Sequence, residues 1–408
     1  MDGFTKMGAR EGVMPTAAVA VSESPAPGRA AQPRITSIDV VRGAVMVLMA
    51  IDHVRVYSGV PPGGPTAGVF FTRWVTHFCA PAFAFFAGTS AFLLGRKLAD
   101  ASALARHLVA RGAILILLEL TFLHVAWTFS FDFTQLLLGV IWMLGVCMIL
   151  LAGLARFSPR AVGTFGLIVI VLQQIFGLIP SALPEGARAA TMPLWRLLYL
   201  GGPITIVPNR LAATVLYNIV PWIGIMAAGY GFGAIMVRDP ESRRRACLRI
   251  GLGATALFLL LGGIAASLRG SGEAPFLFRL LNQSKYRDSQ LFLLMTLGPT
   301  IAVLPYAERA RGWFTSALAT YGRVPLFYYL LHIPLIHAVS LLVWFLRDGT
   351  THADWFLSAP FVSTPDGQQW PLWLLYAVFI TCVALLYVPC RWFARVKARG
   401  GSWWVRYI

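Results

Sequence analysis

The sequence has little charge. Asp, Glu, Lys and Arg make up 12% of its 408 residues, where a soluble globular domain carries about a quarter, so water is a poor solvent for most of this chain. It contains no Walker loop, Rossmann glycine fingerprint, HExxH motif or nucleophile elbow, which removes most nucleotide-dependent and hydrolytic chemistries. Cysteine is sparse and scattered. Cys79, Cys147, Cys247, Cys382 and Cys390 form no CxxC pair and their number is odd, which speaks against a disulfide framework or a metal knot. Acidic residues are scarcer than basic ones, 17 against 34, giving a net charge of +17. No zinc finger, aromatic RNA-binding signature or soluble basic domain accompanies that excess. Contact with anionic lipid headgroups is therefore the simpler account of it, and no nucleic-acid partner is expected.

Hydrophobic residues are abundant, at 57%, and they fall into blocks of about 18 to 24, the length a helix needs to cross hydrocarbon. The blocks run Ile38 to Tyr57, Val75 to Gly95, Ala110 to Phe129, Leu136 to Ala155, Val162 to Ile179, Val215 to Met236, Leu248 to Leu268, Leu291 to Tyr306, Val324 to Leu346 and Leu372 to Phe393. The expected fold is all-α, a polytopic integral membrane helical bundle of about ten transmembrane helices. Leu194 to Val207 is apolar but interrupted by Gly201, Gly202 and Pro203, and reads as an interfacial or re-entrant piece. Lys and Arg on alternate sides of these blocks are biased roughly two to one toward the side holding the N-terminus, which places both ends in the cytoplasm. Residues 1–34, rich in Ala, Pro, Gly and Ser, read as a disordered, uncleaved cytoplasmic tail. Residues 35–394 form one membrane domain, and 395–408 a basic and aromatic cytoplasmic tail in which Trp403, Trp404 and Tyr407 suit an interfacial anchor.

Ionisable residues inside spans are costly to insert, so their placement is informative. In the first block Asp39, Arg42, Met46, Met49 and His53 follow helical spacing and share one stripe. Arg42 and His53 then face the same way, roughly 16 Å apart along the axis. An ordinary interfacial ion pair is an equally good account of Asp39 with Arg42, and a hydrogen-bonded structural role is open to His53. In the second block His77, Pro81, Ala84 and Gly88 share a stripe of small residues. Asp52, His53, Arg55, Arg73 and His77 are expected around the outer ends of these two helices. Asp52 lies about 100° around the helix from His53 and is as well placed to pair with Arg55. Glu119, His124, His332 and His337 read as structural in the first instance, with His332 a candidate to line the same cavity. A transporter using the same charges as a proton or substrate pathway, and a noncatalytic membrane scaffold, both fit the pattern.

The run RITSIDVVRGAVMVLMAIDHVR from Arg34, followed by TRWVTHFCAPAFAFFAGTSAFLLGRK from Thr72, resembles the catalytic-domain family of heparan-alpha-glucosaminide N-acetyltransferase, especially its bacterial members. SKYRDSQLFLLMTLGP from Ser284, YGRVPLFYYLLHIPLIH from Tyr321 and CRWFARVKARGGSWWVRYI at the end agree with those members. The wider membrane acyltransferase superfamily, with its acyltransferase-3 branch, shares an arginine followed by ten residues and a histidine in the first helix, a spacing that Arg42 and His53 match. The resemblance implies transfer of an acyl group, acetyl as the first expectation, from cytoplasmic acyl-CoA to a saccharide or other envelope acceptor beyond the outer face of a bacterial inner membrane. It implies acetyl-CoA or another acyl-CoA as co-substrate, no metal, and leaves homo-oligomer formation open. On this basis His53, His77 and Asp52 are the catalytic candidates, with His53 or His77 as general base. Asp39, Arg42, Arg73 and His332 are the candidates for substrate binding, with Arg42 toward the anionic end of acyl-CoA and Arg73 toward an acidic acceptor. The lysosomal enzyme that names the family carries its proposed acyl-accepting histidine in the loop between the first two helices. Ser58 to Thr72 holds no histidine here, so a covalent acyl-histidine at that place is excluded.

Overall fold

The structure is a computed structural model that describes residues 35–64, 66–98, 100–268, 274–284, 289–362, 364–365, 367–400, 405 and 407. The N-terminal tail and the anchor residues Trp403 and Trp404 lie outside the described residues. Of the described residues, 77% are helical. Helix α1 spans Thr36–Ser58 and closes on Gly59 in the left-handed region. Helices α2 (Ala67–Trp74) and α3 (Cys79–Leu98) run together through a tight turn at Val75–Phe78, and α4 (Ala101–Leu118) continues through a widened turn into α5 (His124–Thr128). Next come α6 (Val140–Leu154), α7 (Pro159–Leu172), α8 (Ile175–Ala182), α9 (Glu185–Trp195) and α10 (Val220–Met236). The second half holds α11 (Pro240–Leu268), α12 (Phe276–Leu281), α13 (Gln290–Arg309), α14 (Trp313–Arg323), α15 (Pro325–Asp348) and α16 (Leu372–Ala398).

Local chemistry sets several of these starts. Thr66, Asp100, Ser158, Asp239 and Ser289 each accept a hydrogen bond from a main-chain N–H two or three residues on, filling donors that a helix start leaves open. Helix forms in all ten apolar blocks, but among the described residues six helical stretches are long and apolar enough to cross a membrane. These are Ala67–Leu98, Ala101–Thr128, Pro240–Leu268, Gln290–Arg309, Pro325–Asp348 and Leu372–Ala398. The other four blocks differ for identifiable reasons. The 23-residue α1 is long enough but carries Asp39, Arg42, Asp52 and Arg55, while α6 and α10 have only 15 and 17 residues. The pair α7 and α8 bends by 55°. Gln290 of α13 donates to the carbonyls of Ile170 and Val171 beside that bend, satisfying acceptors that a broken helix frees. Exposed Leu252, Leu257, Leu260 and Ile264 on α11, and Trp373, Ile380, Leu385 and Val388 on α16, give these helices the apolar outer faces that hydrocarbon would cover.

One departure from the all-helical expectation is a three-stranded sheet. Strand β1 (Gln135–Leu138) pairs in parallel with β3 (Leu211–Val215), and β2 (Gly202–Val207) pairs antiparallel with β3 through a turn at Asn209. The stretch expected to be an interfacial piece therefore ends in a hairpin, and the sixth apolar block begins as strand before turning helical. A strand needs only four or five residues and draws its stability from a partner elsewhere in the chain. The sheet lies at the end of the bundle from which α6 and α10 start, and Pro203 sits on an edge strand, where its missing N–H costs no ladder bond.

Two helix crossings set where the polar side chains of α1 and α3 lie. A Cβ added at Gly43 of α1 would lie 1.8 Å from the Leu318 carbonyl oxygen of α14, and one at Gly322 of α14 would lie 1.8 Å from that of Asp39. Between α3 and α10, Gly88 and Gly229 are matched in the same way against the Met226 and Phe85 carbonyls, at 1.9 Å each. Reciprocal glycines let these helix backbones touch, the small-residue packing typical of membrane bundles.

Candidate functional site

The stripe on α1 faces inward. Asp39, Met46 and Met49 are buried, while Arg42 and His53, its two ends, keep partial access. At the Arg42 end, one terminal nitrogen (Nη2) donates to Ser90 Oγ at 2.6 Å and to the Phe86 carbonyl at 3.4 Å, both on α3. The other, Nη1, donates to the Gly322 carbonyl of α14 at 3.4 Å and lies 4.0 Å from Asp39 Oδ1. The glycine crossing of α1 with α14 is what brings that carbonyl within reach. Arg111 of α4 lies within electrostatic range of Arg42, so this end of the bundle brings a second guanidinium near the first. Sequence pattern alone did not mark Arg111, which closes a basic stretch at the start of an apolar block, or Ser90, a single small hydroxyl beside Thr89 in an otherwise largely apolar helix.

At the other end His53 meets α15. Its Nδ1 lies 2.6 Å from Nε2 of His332, and the two rings stack with centroids 4.8 Å apart. Trp127 of α5 stands edge-on to His53 at 4.9 Å and Tyr329 does so at 6.2 Å. His332 is fully buried, and its Nδ1 lies 2.7 Å from the Tyr329 carbonyl and 3.2 Å from that of Tyr328. Both of its ring nitrogens are thus engaged by the protein. His332, a candidate for the same cavity, lies directly against His53.

Asp52 and Arg73 gather with Arg55. Asp52 Oδ1 accepts from Arg55 Nε at 2.9 Å, and its Oδ2 lies 3.6 Å from Arg73 Nη1. Arg55 also donates to the Val60 carbonyl and Arg73 to Thr76 Oγ1. His77, in the turn between α2 and α3, stands edge-on to Phe292 of α13 at 5.6 Å. Glu119, His124 and His337 each have partners within the fold. Glu119 accepts from the main-chain N–H groups of Ile141 and Trp142, capping α6. His124 pairs with the Asp132 carbonyl, and His337 pairs with that of Ala126 while stacked on Phe129 and Tyr57. Among the described residues no group of three or more His, Cys, Asp or Glu side chains is arranged to hold a metal ion.

Known families decide what kind of protein carries this arrangement. The model of the family described as heparan-alpha-glucosaminide N-acetyltransferase, catalytic, matches residues 34–268, more than half of the chain. The chain belongs to that family. No match is found among curated proteins. Membership of the N-acetyltransferase family, together with the apolar helices, points to acetyl transfer by an integral membrane protein. Asp39, Arg42, Asp52, His53, Arg73 and His77 all fall inside the matched residues, whereas His332 falls beyond them.

Proposed function

We propose that this chain is a membrane-embedded acyltransferase of a bacterial inner membrane, with both ends cytoplasmic. It moves an acetyl group from cytoplasmic acetyl-CoA to an amine or hydroxyl of an envelope saccharide on the outer side. The anionic end of acetyl-CoA is held near Arg42, with Arg111 adding positive charge, and the pantetheine arm runs along α1 toward His53. Asp39 steadies Arg42, and Arg73, sharing Asp52 with Arg55, is placed to meet an acidic acceptor. The His53–His332 pair, eleven residues along α1 from Arg42, is the observation that carries this reading, because it gives His53 the oriented imidazole that base catalysis needs.

The chemistry balances on this chain's own groups. The acceptor N–H or O–H gives its proton to His53 as its N or O bonds to the thioester carbonyl carbon. The C–S bond then breaks, and the CoA thiolate takes the proton back from His53. Purified protein given acetyl-CoA and glucosamine should release free CoA and form the acetylated amine. His53→Ala, inserted and folded normally, should lose about 10²- to 10⁴-fold in rate, the usual worth of a general base. Full activity in that variant would end the proposal, and wild-type protein that releases no CoA would favour a transporter.

A further inference from the structure

We infer that His332 is a positioning residue that fixes which nitrogen of His53 is basic, an inference that rests on the acyltransferase reading of His53. Main-chain carbonyls only accept hydrogen bonds. Nδ1 of His332 faces two of them, those of Tyr329 at 2.7 Å and Tyr328 at 3.2 Å, so its ring proton sits on Nδ1. In neutral His332 the lone pair is then on Nε2. That nitrogen lies 2.6 Å from His53 Nδ1, a separation that requires one proton between them. The donor must be His53, so His53 carries its proton on Nδ1 and its lone pair on Nε2. One hydrogen bond sets the tautomer of the next, and the order begins at two carbonyls that cannot reverse it.

The same chain serves the charged state. When His53 Nε2 takes a proton from the acceptor, the imidazolium keeps its Nδ1–H on His332 Nε2, and the new charge is shared along a hydrogen bond whose far end points at carbonyl oxygens. No proton need leave the pair until the departing thiolate collects it from Nε2. Burial of His332 keeps water from competing for that bond. This role differs from the substrate contact that the sequence suggested for His332, because neither nitrogen is left for a ligand. It also differs from simple packing, since a residue of similar shape without an acceptor at the Nε2 place would leave His53 free to move its proton.

Nitrogen-15 NMR of histidine-labelled protein tests this without relying on turnover, with His53→Gln used to assign the His53 signals. In the wild type His53 should show a protonated Nδ1 and an unprotonated Nε2, the reverse of the form that free imidazole side chains prefer in water. His332→Phe should release His53 toward the Nε2–H form, and His332→Gln, which can offer a carbonyl oxygen at the Nε2 place, should keep the wild-type pattern. With acetyl-CoA and glucosamine, His332→Phe should lower kcat by about 10²- to 10⁴-fold, the scale seen when a catalytic histidine is held in the wrong tautomer. KM for acetyl-CoA should stay unchanged, and His332→Gln should recover most of kcat. An Nε2–H signal from His53 in the wild type would overturn the inference, as would an unchanged His53 pattern in His332→Phe. A raised KM with kcat intact would return His332 to substrate binding. Wild-type protein with the expected tautomer but no acetyl transfer would leave the pairing intact and sink the acyltransferase reading instead.

Discussion

At one end of α1 the Arg42 guanidinium is held by two main-chain carbonyls, one hydroxyl and a carboxylate, whereas at the other end His53 is held by a second imidazole. The first arrangement is a property of the backbone. A carbonyl cannot rotate away or change protonation, and that of Gly322 reaches Arg42 only because α1 and α14 touch. The second is a property of side chains, each of which can shift a proton. Changes at the Arg42 end should therefore act on folding and binding, and changes at the His53 end on rate.

The largest effect that would break this contrast is Gly322→Val. Its Cβ would lie 1.8 Å from the Asp39 carbonyl oxygen, a backbone atom that cannot step aside, so the cost should exceed the about 1 to 3 kcal/mol of ordinary overpacking. Little folded protein should be recovered in detergent, and what is recovered should melt well below the wild type. A wild-type melting temperature would show that α1 and α14 are not in backbone contact.

Arg42→Ala comes next. Hydrogen bonds to a charged group are worth about 1.5 to 3 kcal/mol, so the dissociation constant for CoA should rise by roughly ten- to a hundredfold. Rate at saturating acetyl-CoA should fall far less than in His53→Ala. Isothermal titration with CoA reads the first quantity and single-turnover kinetics the second. An unchanged dissociation constant would leave Arg42 as a brace between α1, α3 and α14 and nothing more.

How much of this was legible in the sequence depends on the range over which each feature is encoded. The α1 stripe could be read because helical spacing fixes a face over neighbouring residues, and Asp39, Met46 and Met49 are indeed turned inward. Asp52 could be assigned to Arg55 for the same reason, being three residues away. His332 could be named as an intramembrane histidine but not as the partner of His53, since 279 residues separate them and periodicity says which face a side chain occupies, not what meets it. The same limit hid the sheet, whose β1 and β3 come from opposite sides of four helices and are too short to show a pattern of their own. It hid the Gly322 carbonyl too, because a main-chain acceptor leaves no mark in a sequence beyond the glycine that exposes it.

The smallest effect sharpens the comparison most, because it asks whether the Arg42 end acts through Arg42. Ser90 Oγ accepts from that guanidinium at 2.6 Å, closer than either the Phe86 or the Gly322 carbonyl. Removing the hydroxyl leaves Nη2 with the longer bond to the Phe86 carbonyl at 3.4 Å, and a loss of about 1 kcal/mol is the ordinary cost of one such bond. Ser90→Ala should thus weaken CoA binding by roughly fivefold while leaving the His53 tautomer untouched. If the serine works by aiming the arginine, that loss should vanish in the Arg42→Ala background, since residues in one hydrogen-bonded network are not additive. Should Ser90→Ala cost the same with and without Arg42, the hydroxyl would be contacting CoA or packing α3 on its own account.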